Sequence, residues 1–362
     1  MSMDKVLILT KTNWSEAPRI RHQITRLLKS KGFEIIYVEK NAYKNVFVRK
    51  RNEEGIQFYA HAELVHHQLR YFSLIQWANN LVVQFYLRKI IREIDFDFIF
   101  NFSYDYSFLK KVAPGKKVIT MIEDDFESQA KFGMTNAIRN QVTKTCAQSD
   151  FVLTVSYPLM KKLKTYGAEV HMMFPWSQNE YVGPVRSRLR NTVLYFGYVH
   201  RLDWDIVERL VRESVYNFRF VGPAGRSKDT KMIGHLKSTY NNFEYIPFSS
   251  ISDLKVDDAF CSILPYDPQI KSVQACTISN RAFNLLSLGL PLAYASLDAL
   301  IEAPDTVIRK NKTVEDYHRS LDLFSKSFYE IQSDIKDFLD DHYSENRWRV
   351  LKSIIDRLEV SS

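Results

Sequence analysis

The stretch KVLILTKTNWSEAPRIRHQITRLLKSKGFEIIYV, residues 5–38, decides the fold class of this chain. It opens with an apolar strand and continues, after a polar loop, with a helix whose apolar residues recur at helical spacing. Pro18 suits the first helical turn, and Gly32 ends the helix before a second apolar strand at 33–38. Strand, helix and strand in this order form a βαβ unit, which favours an α/β fold with a parallel sheet and crossover helices.

The same alternation returns along both halves of the sequence. Further apolar runs of strand length lie at 98–102, 117–122, 151–155, 192–196, 218–221, 243–246 and 261–264. The segment 181–190 contains Gly183, Pro184 and three arginines, and its apolar residues follow no helical or strand spacing. We therefore predict that it is an interdomain linker. We therefore predict two Rossmann-like, doubly wound domains, 1–182 and 191–342, with a ligand cleft at the carboxyl ends of their strands.

Length and composition restrict the function classes. The chain has 362 residues, of which 45% are hydrophobic and 25% charged, as in globular rather than disordered or fibrous proteins. No run reaches the roughly 18 apolar residues of a membrane-spanning helix, and the run 6–9 is too short for a signal-peptide core. The three cysteines lack CxxC spacing, which argues against a disulfide framework or a structural zinc site. We expect a cytoplasmic protein.

The net charge of +8 is confined to the first half of the chain. Residues 1–180 contain 26 Lys and Arg against 18 Asp and Glu, whereas residues 181–362 contain 24 of each. This excess favours an anionic partner such as a membrane surface, a phosphorylated substrate or nucleic acid, although a solvated basic face without a partner is an equal alternative. The apolar residues from Leu69 to Ile90 recur at helical spacing among several arginines. They could dock on an anionic membrane, but we prefer a helix that covers the sheet.

Familiar catalytic motifs are absent from the sequence. Neither half opens with GxGxxG, and GxxxxGK[ST], HExxH and GxSxG do not occur. The pairs Asp95/Asp97 and Asp203/Asp205 could chelate a divalent ion. Asp95/Asp97 comes just before a strand, the wrong end of a parallel sheet for a site, so surface solvation is the simpler interpretation of that pair. We expect neither a metal site nor a cofactor.

The stretch TISNRAFNLLSLGLPLA, residues 277–293, is the most informative for function. Ser279 and Asn280 can cap a helix whose free N–H groups suit a diphosphate, and Arg281 can add a phosphate contact. The stretch resembles the P-N-K-x-x-E-Y-L-A-x-G-K-P-V-V segment in the donor domain of GT-B glycosyltransferases of the glycosyltransferase family 4 type, including bacterial exopolysaccharide and teichuronic acid enzymes. That family usually has a glutamate that binds the ribose where this chain has Asn284, so the charge-assisted bond is lost.

Other segments resemble the same family in the same order. They are YFGY (195–198), FVGP (220–223), YIPF (245–248), CSILPY (261–266) and ENRW (345–348). The resemblance implies the GT-B fold, with a C-terminal helix at 343–362 that packs back towards the N-terminal domain. It also implies donor-binding roles for Gly197, His200, Arg201, Gly222, Pro247, Phe248, Ser279, Asn280, Arg281 and Asn284.

The first half resembles the family more loosely, through SEAPR (15–19) and EDDF (123–126). In an inverting transferase a carboxylate takes the proton of the acceptor hydroxyl, and the carboxyl end of a strand suits that base. Asp125 is the first candidate and Asp124 the second, with capping of the following helix as the alternative role. Arg19 could contact a phosphate on donor or acceptor, or be solvated or ion-paired.

The resemblance implies a metal-independent glycosyltransferase that moves a sugar from a nucleotide-diphosphate sugar to a glycan or lipid-linked acceptor in bacterial surface polysaccharide synthesis. Its expected place is the cytoplasm, in peripheral contact with the anionic inner face of the cell membrane. A nucleotide-sugar epimerase on the same architecture is one alternative. A non-catalytic nucleotide-sugar or glycan-binding protein is another, and Asn284 favours it. We expect no nucleic-acid partner, because the sequence contains no recognisable helix-turn-helix or other nucleic-acid-binding motif.

Overall fold

The computed structural model describes residues 4–16, 18–40, 49–61, 64–65, 69, 72–184, 189–247 and 253–360. The contacts within the chain divide it into two units. Unit 1 comprises Met1–Phe174 together with Arg347–Ser362, and unit 2 comprises Pro175–Asn346.

The described strands of unit 1 form one sheet in the order β3-β4-β2-β1-β5-β6-β7-β8. They are β1 (Lys5–Leu9), β2 (Glu34–Lys40), β3 (Arg49–Glu53), β4 (Ile56–His61), β5 (Phe98–Asn101), β6 (Lys117–Ile122), β7 (Phe151–Thr154) and β8 (Val170–Met172). Neighbouring strands are parallel except for the antiparallel pair β3 and β4. The chain leaves β1 towards β2 on one side and later adds β5 on the other. The topological switch point, where such sheets bind ligands, therefore lies between β1 and β5.

Helices connect the parallel strands of unit 1. They are α1 (Ile20–Ser30), α2 (Ser73–Glu93), α3 (Leu109–Val112), α4 (Thr135–Ala147) and α5 (Tyr157–Lys164). The periodic apolar residues that predicted α1 are all buried, namely Ile20, Ile24, Leu27 and Leu28. Burial of strands on both faces, as in β1, is the expected result of this helical cover.

Unit 2 contains a fully parallel sheet in the order β11-β10-β9-β12-β13-β14. Its described strands are β9 (Thr192–Phe196), β10 (Asn217–Val221), β11 (Phe243–Ile246), β12 (Ala259–Leu264), β13 (Leu292–Ala295) and β14 (Ile308–Asn311). Its helices are α6 (Trp204–Glu213), α7 (Ser227–Thr239), α8 (Lys271–Gln274), α9 (Asn280–Ser287), α10 (Val314–Ser327) and α11 (Gln332–Asp340), and α12 (Ser344–Val360) follows them. The switch point of this sheet lies between β9 and β12. The predicted α/β fold with two doubly wound sheets is confirmed.

The last helix, α12, begins in unit 2 and continues into unit 1. There the Trp348 ring lies 6.1 Å from that of Phe33, edge to face. The Arg357 guanidinium forms two hydrogen bonds, of 2.6 and 2.9 Å, to the carboxylate of Glu169. The predicted return of the C-terminal helix to the N-terminal domain is confirmed.

The boundary between the units falls at Phe174/Pro175, before the segment that we predicted as a linker. The start of that segment packs within unit 2. The Tyr181 N–H donates to the Tyr343 hydroxyl at 3.0 Å, and the Val182 N–H donates to the Ser287 carbonyl at 3.0 Å. Backbone groups held in this way belong to a folded unit rather than to a free connection. In the described part of the chain, no helix is both long and apolar enough to cross a bilayer.

Candidate active site

Two glycines form the turns that follow neighbouring strands of unit 2. Gly197 ends β9 with φ +126°, and Gly222 ends β10 with φ +144°, backbone regions that side chains rarely adopt. A Cβ atom on Gly222 would collide with the Gly197 carbonyl. The two turns can pack this closely only because Gly222 lacks a side chain.

Arg281, in the first turn of α9, reaches the same place. Its Nη1 donates to the Tyr195 hydroxyl at 2.8 Å, and its guanidinium lies within 6 Å of the Tyr195 and Tyr266 ring centres. A Cβ on Gly197 would overlap this guanidinium. The bond from Arg281 to Tyr195 therefore holds the N-terminus of α9, the positive end of its dipole, and a cation beside the carboxyl end of β9.

His200 lies in a short 3-10 helix, Val199–Arg201, directly after the β9 turn. Burial, together with the positive charges of Arg201, Arg226 and Arg281, lowers the pKa of His200 from 6.5 to about 4. We call these three residues the arginine cluster. The Arg226 Nη1 also donates to the His200 carbonyl at 3.4 Å. The three arginine charges that act on His200 give this place an excess of positive charge, which suits a multiply charged anion.

Arg226 was not among the residues that the sequence predicted for this site. It stands at the N-cap of α7, after the glycine turn that ends β10. The signal was the sequence Gly222-Pro223-Ala224-Gly225-Arg226, in which a cation follows a glycine-rich turn at a strand's carboxyl end.

The remaining predicted donor residues lie around this point. Ser279 is at the N-cap position of α9, but its side chain makes no capping hydrogen bond, so that part of the prediction is wrong. Its buried hydroxyl lies instead near the phenols of Tyr266 and Tyr294. Asn280 begins the helix. Asn284, one turn later, is half-buried, and its carbonyl accepts a 2.9 Å hydrogen bond from Ser287 Oγ.

Pro247 is exposed at the end of β11, the strand at the edge of the sheet. Phe248 lies outside the described residues.

In unit 1 the acidic run follows β6. Glu123, its first member, was not singled out by the sequence. Its carboxylate lies 3.8 Å from Arg21 Nη1, and its side chain keeps 16% of its surface exposed. Burial and the neighbouring charge of Asp124 raise the pKa of Glu123, while Arg21 and Arg19 oppose the shift. A partly accessible carboxyl group with a raised pKa at a strand's carboxyl end is a candidate proton acceptor.

Asp125 is already engaged by a cation. Its Oδ1 accepts a 2.7 Å hydrogen bond from Lys162 Nζ of α5, and the same ammonium lies 3.1 Å from Glu127. The Asp125 carbonyl accepts from Ser128 Oγ at 2.9 Å. A turn follows Asp125, and α4 begins only at Thr135, so the residue begins a turn rather than capping the next helix. Asp124 is half-buried between the two.

The two arginines at the start of α1 differ in exposure. Arg19 is exposed at the N-cap, and its backbone N–H donates to His22 Nδ1 at 3.0 Å. Arg21 is only 1% exposed and donates from Nη2 to Glu16 at 3.0 Å. Its position between Glu16 and Glu123 makes it an internal counter-ion of the acidic groups.

Within the described residues, no three His, Cys, Asp or Glu side chains gather in a way that could hold a metal ion.

Comparison with known proteins finds likeness in structure alone. No family model matches the sequence, and no curated protein matches it. Among solved structures, sucrose-phosphate synthase from Thermosynechococcus elongatus aligns over 99% of each chain with a TM-score of 0.72 and 10% identity. A trehalose-6-phosphate structure from E. coli with bound UDP-2-fluoro glucose aligns over 97% of this chain and 98% of that one, with a TM-score of 0.69 and 9% identity. Anabaena Alr3699/HepE in complex with UDP and glucose aligns over 98% and 99%, with a TM-score of 0.66 and 12% identity.

These similarities extend over nearly the whole chain and include both sheets. Together with the two doubly wound sheets and the returning C-terminal helix, they show that the chain has the GT-B fold.

Proposed function

We propose that this protein is a glycosyltransferase that transfers a sugar from a nucleotide-diphosphate sugar to a glycan or lipid-linked acceptor. The resemblance of its sequence to family 4 enzymes supports a role in bacterial surface polysaccharide synthesis. A cytoplasmic place, with peripheral contact to the inner membrane face, would bring it to such an acceptor. In this proposal unit 2 binds the donor and unit 1 binds the acceptor.

The arginine cluster is the observation that carries the proposal. Cationic side chains and the N-terminus of α9 converge at the switch point of the unit 2 sheet, as a diphosphate requires. Three guanidinium groups can neutralise a leaving nucleoside diphosphate, so we propose that the transfer needs no metal ion and no other cofactor.

For the chemistry in unit 1 we propose a carboxylate base from the acidic run and an inverting transfer. Asp125 and Asp124 remain the candidates from the sequence, and the environment of Glu123 adds a third. The base would take the proton of the acceptor hydroxyl while the oxygen of that hydroxyl attacks the anomeric carbon and the nucleoside diphosphate leaves. Arg19, which is exposed at the start of α1, is proposed to contact a phosphate on the acceptor or donor.

The first test is calorimetric titration with UDP, GDP, dTDP and CMP, with and without magnesium. We expect one nucleoside diphosphate to bind selectively and independently of magnesium. Arg226→Gln and Arg281→Gln should each weaken binding by about tenfold or more, since each removes charge-assisted bonds to phosphate. Arg319→Gln, which removes an exposed arginine from α10, is the matched control and should bind as the wild type does. If none of the four nucleotides bound, the proposal would be overturned.

The non-catalytic alternative is favoured by Asn284. We expect the wild-type chain to turn over a nucleotide sugar and Asn284→Glu to bind the nucleotide more tightly, because a carboxylate forms a stronger bond to a ribose hydroxyl than an amide does. If the wild type and Asn284→Glu both bound the nucleotide without turnover, the hypothesis of a non-catalytic binding protein would be favoured.

A further inference from the structure

One face of α2 carries large apolar side chains that the fold leaves uncovered. Leu74, Trp77, Leu81 and Phe85 are 75%, 60%, 45% and 66% exposed. Their spacing of three, four and four residues places them on one side of the helix. We call them the α2 stripe. The opposite side is the one that packs on the sheet, through residues such as Val83, Leu87 and Ile90. The interpretation preferred from the sequence, a helix that covers the sheet, therefore accounts only for the buried side of α2.

The apolar surface continues beyond the stripe onto the loop before α4. Phe132 is 70% exposed, and its ring stacks on that of Phe72 at a centroid distance of 6.0 Å. Phe132 has φ +56°, a backbone region that bulky residues rarely adopt. An exposed aromatic pair held at such a conformational cost marks a contact surface more strongly than scattered apolar residues do.

Basic residues continue the same face towards the C-terminal end of α2. Arg88 and Arg92 follow Phe85 at spacings of three and four residues, and Lys89 lies next to them; all three are exposed. Lys131 adds an exposed cation beside Phe132. The helix has no acidic residue before Glu93. Apolar and basic side chains thus follow one another along the same side of α2.

We propose that the α2 stripe and its basic end form a docking surface for an anionic lipid bilayer. The apolar side chains would enter the boundary between headgroups and acyl chains, while Arg88, Lys89 and Arg92 would contact the anionic headgroups. The inference deepens the membrane contact that forms part of the proposed function, by naming the surface that makes it.

The charge pattern favours a bilayer over a second copy of this chain. Two α2 helices packed side by side in parallel would place their basic ends together. Packed antiparallel along their full length, each apolar half would lie against the basic half of its partner, and the cations would lose water without gaining an acid. A bilayer presents an apolar layer and an anionic layer at the same time, which matches both parts of the helix face.

The test is flotation of the purified full-length chain with vesicles of phosphatidylcholine, with or without phosphatidylglycerol. We expect binding to the anionic vesicles, weak binding to the neutral ones, and loss of binding as salt is added. Trp77→Ser with Phe85→Ser should lower the partition coefficient by about 100-fold, at about tenfold for each partly inserted ring. Arg88→Gln with Lys89→Gln and Arg92→Gln should also lower it by about 100-fold.

Matched controls come from unit 2. Lys228→Gln with Lys231→Gln and Lys237→Gln removes the same charge from exposed positions of α7, and Val215→Ser removes an exposed apolar side chain. Both should bind vesicles as the wild type does. Nucleotide titration of every variant separates the two proposals, because the α2 variants should keep nucleotide affinity even where vesicle binding is lost.

Trp77 also gives a direct signal. It is the most exposed tryptophan in the described part of the chain, so its fluorescence should shift to the blue when anionic vesicles are added, and Trp77→Phe should abolish that shift while binding persists. Equal binding of the wild type and the Trp77→Ser/Phe85→Ser variant, or equal binding to neutral and anionic vesicles, would overturn the proposal. So would a dimer in light scattering that the same double variant dissociates, since the stripe would then be covered by a second copy.

Discussion

The acidic run after β6 shows how strongly neighbouring residues differ in what they can do. Asp125 holds the Lys162 ammonium at 2.7 Å, whereas Glu123 lies partly accessible beside the buried Arg21. If Asp125 is the base, Asp125→Asn should lower turnover by about 100-fold or more and leave nucleotide binding nearly intact. The measurement is turnover with saturating nucleotide sugar, together with nucleotide titration.

The matched control is Lys162→Met, which removes the ion pair but keeps the Asp125 carboxylate. A merely structural Asp125 would give the two variants the same modest loss of stability and unchanged turnover. Glu123→Gln and Asp124→Asn complete the series. Turnover that survives in Asp125→Asn and collapses in Glu123→Gln would move the base to Glu123, where the raised pKa already suits proton transfer.

At the scale of single residues, the sequence was sufficient to predict donor-site residues whose place in the site depends only on the local backbone. Gly197 and Gly222 follow strands, and Arg281 opens a helix, so a motif along the chain could identify them. Arg226 has a sequence signal, a cation after a glycine-rich turn, but neither that signal nor the acidic run around Glu123 tells what the side chain contacts. Their importance comes from partners far away in sequence, Arg226 beside His200 and Glu123 beside Arg21, and only the folded chain shows those neighbours.

The beginning of α1 contains a built-in sensitivity to acid. His22 Nδ1 accepts from the Arg19 N–H at 3.0 Å, which assigns the proton to Nε2, 3.0 Å from the Trp14 carbonyl. Burial lowers the pKa of His22 from 6.5 to about 4, with Arg21 adding to the effect and the Trp14 bond opposing it. The unfolded chain therefore binds the proton first. Above pH 6.5 the neutral ring gives its full stabilisation, which is lost progressively as the pH falls from 6.5 to about 4.

Urea unfolding at a series of pH values should show this loss. We expect the free energy of unfolding to fall between pH 6.5 and 4 more steeply in the wild type than in His22→Asn, because the amide can accept the Arg19 bond but does not titrate. Ser30→Asn, an exposed change at the end of the same helix that adds no titratable group, serves as the control and should keep the wild-type slope. Identical slopes in all three proteins would contradict the role given to His22.

Among the elements, α2 shows where sequence periodicity stops being informative. Apolar side chains recur on both of its sides, so the pattern predicts a helix but cannot say which side meets the sheet. Burial is decided by the strands that the helix covers. The β3–β4 pair was missed for a related reason, because RKRNE at 49–53 has no apolar alternation and is a strand only through its pairing with β4.

At the scale of the whole molecule, unit 1 is completed by most of α12, which follows unit 2 in the sequence. Ile354 of α12 is 1% exposed and is buried together with Leu351, Ile355 and Leu358. Ile354→Ala should lower the free energy of unfolding by about 2–5 kcal/mol, the usual cost of removing a large aliphatic side chain from a core. Thermal unfolding followed by circular dichroism measures the change.

Val360→Ala is the matched control, because this valine ends the same helix with 90% of its surface exposed. We expect it to change stability by no more than about 0.5 kcal/mol. If both substitutions had the same small effect, α12 would contribute little to the core of unit 1.

The discontinuity of unit 1 also sets the order in which the newly made chain can fold. Chains generally fold by domains as they are synthesised, the N-terminal one first. Here Met1–Phe174 is made first but lacks the helix segment that completes it, while every residue of unit 2 is made before Arg347. On the ribosome the second unit can therefore finish before the first. Until α12 emerges, the apolar surface that it covers stays open to chaperones.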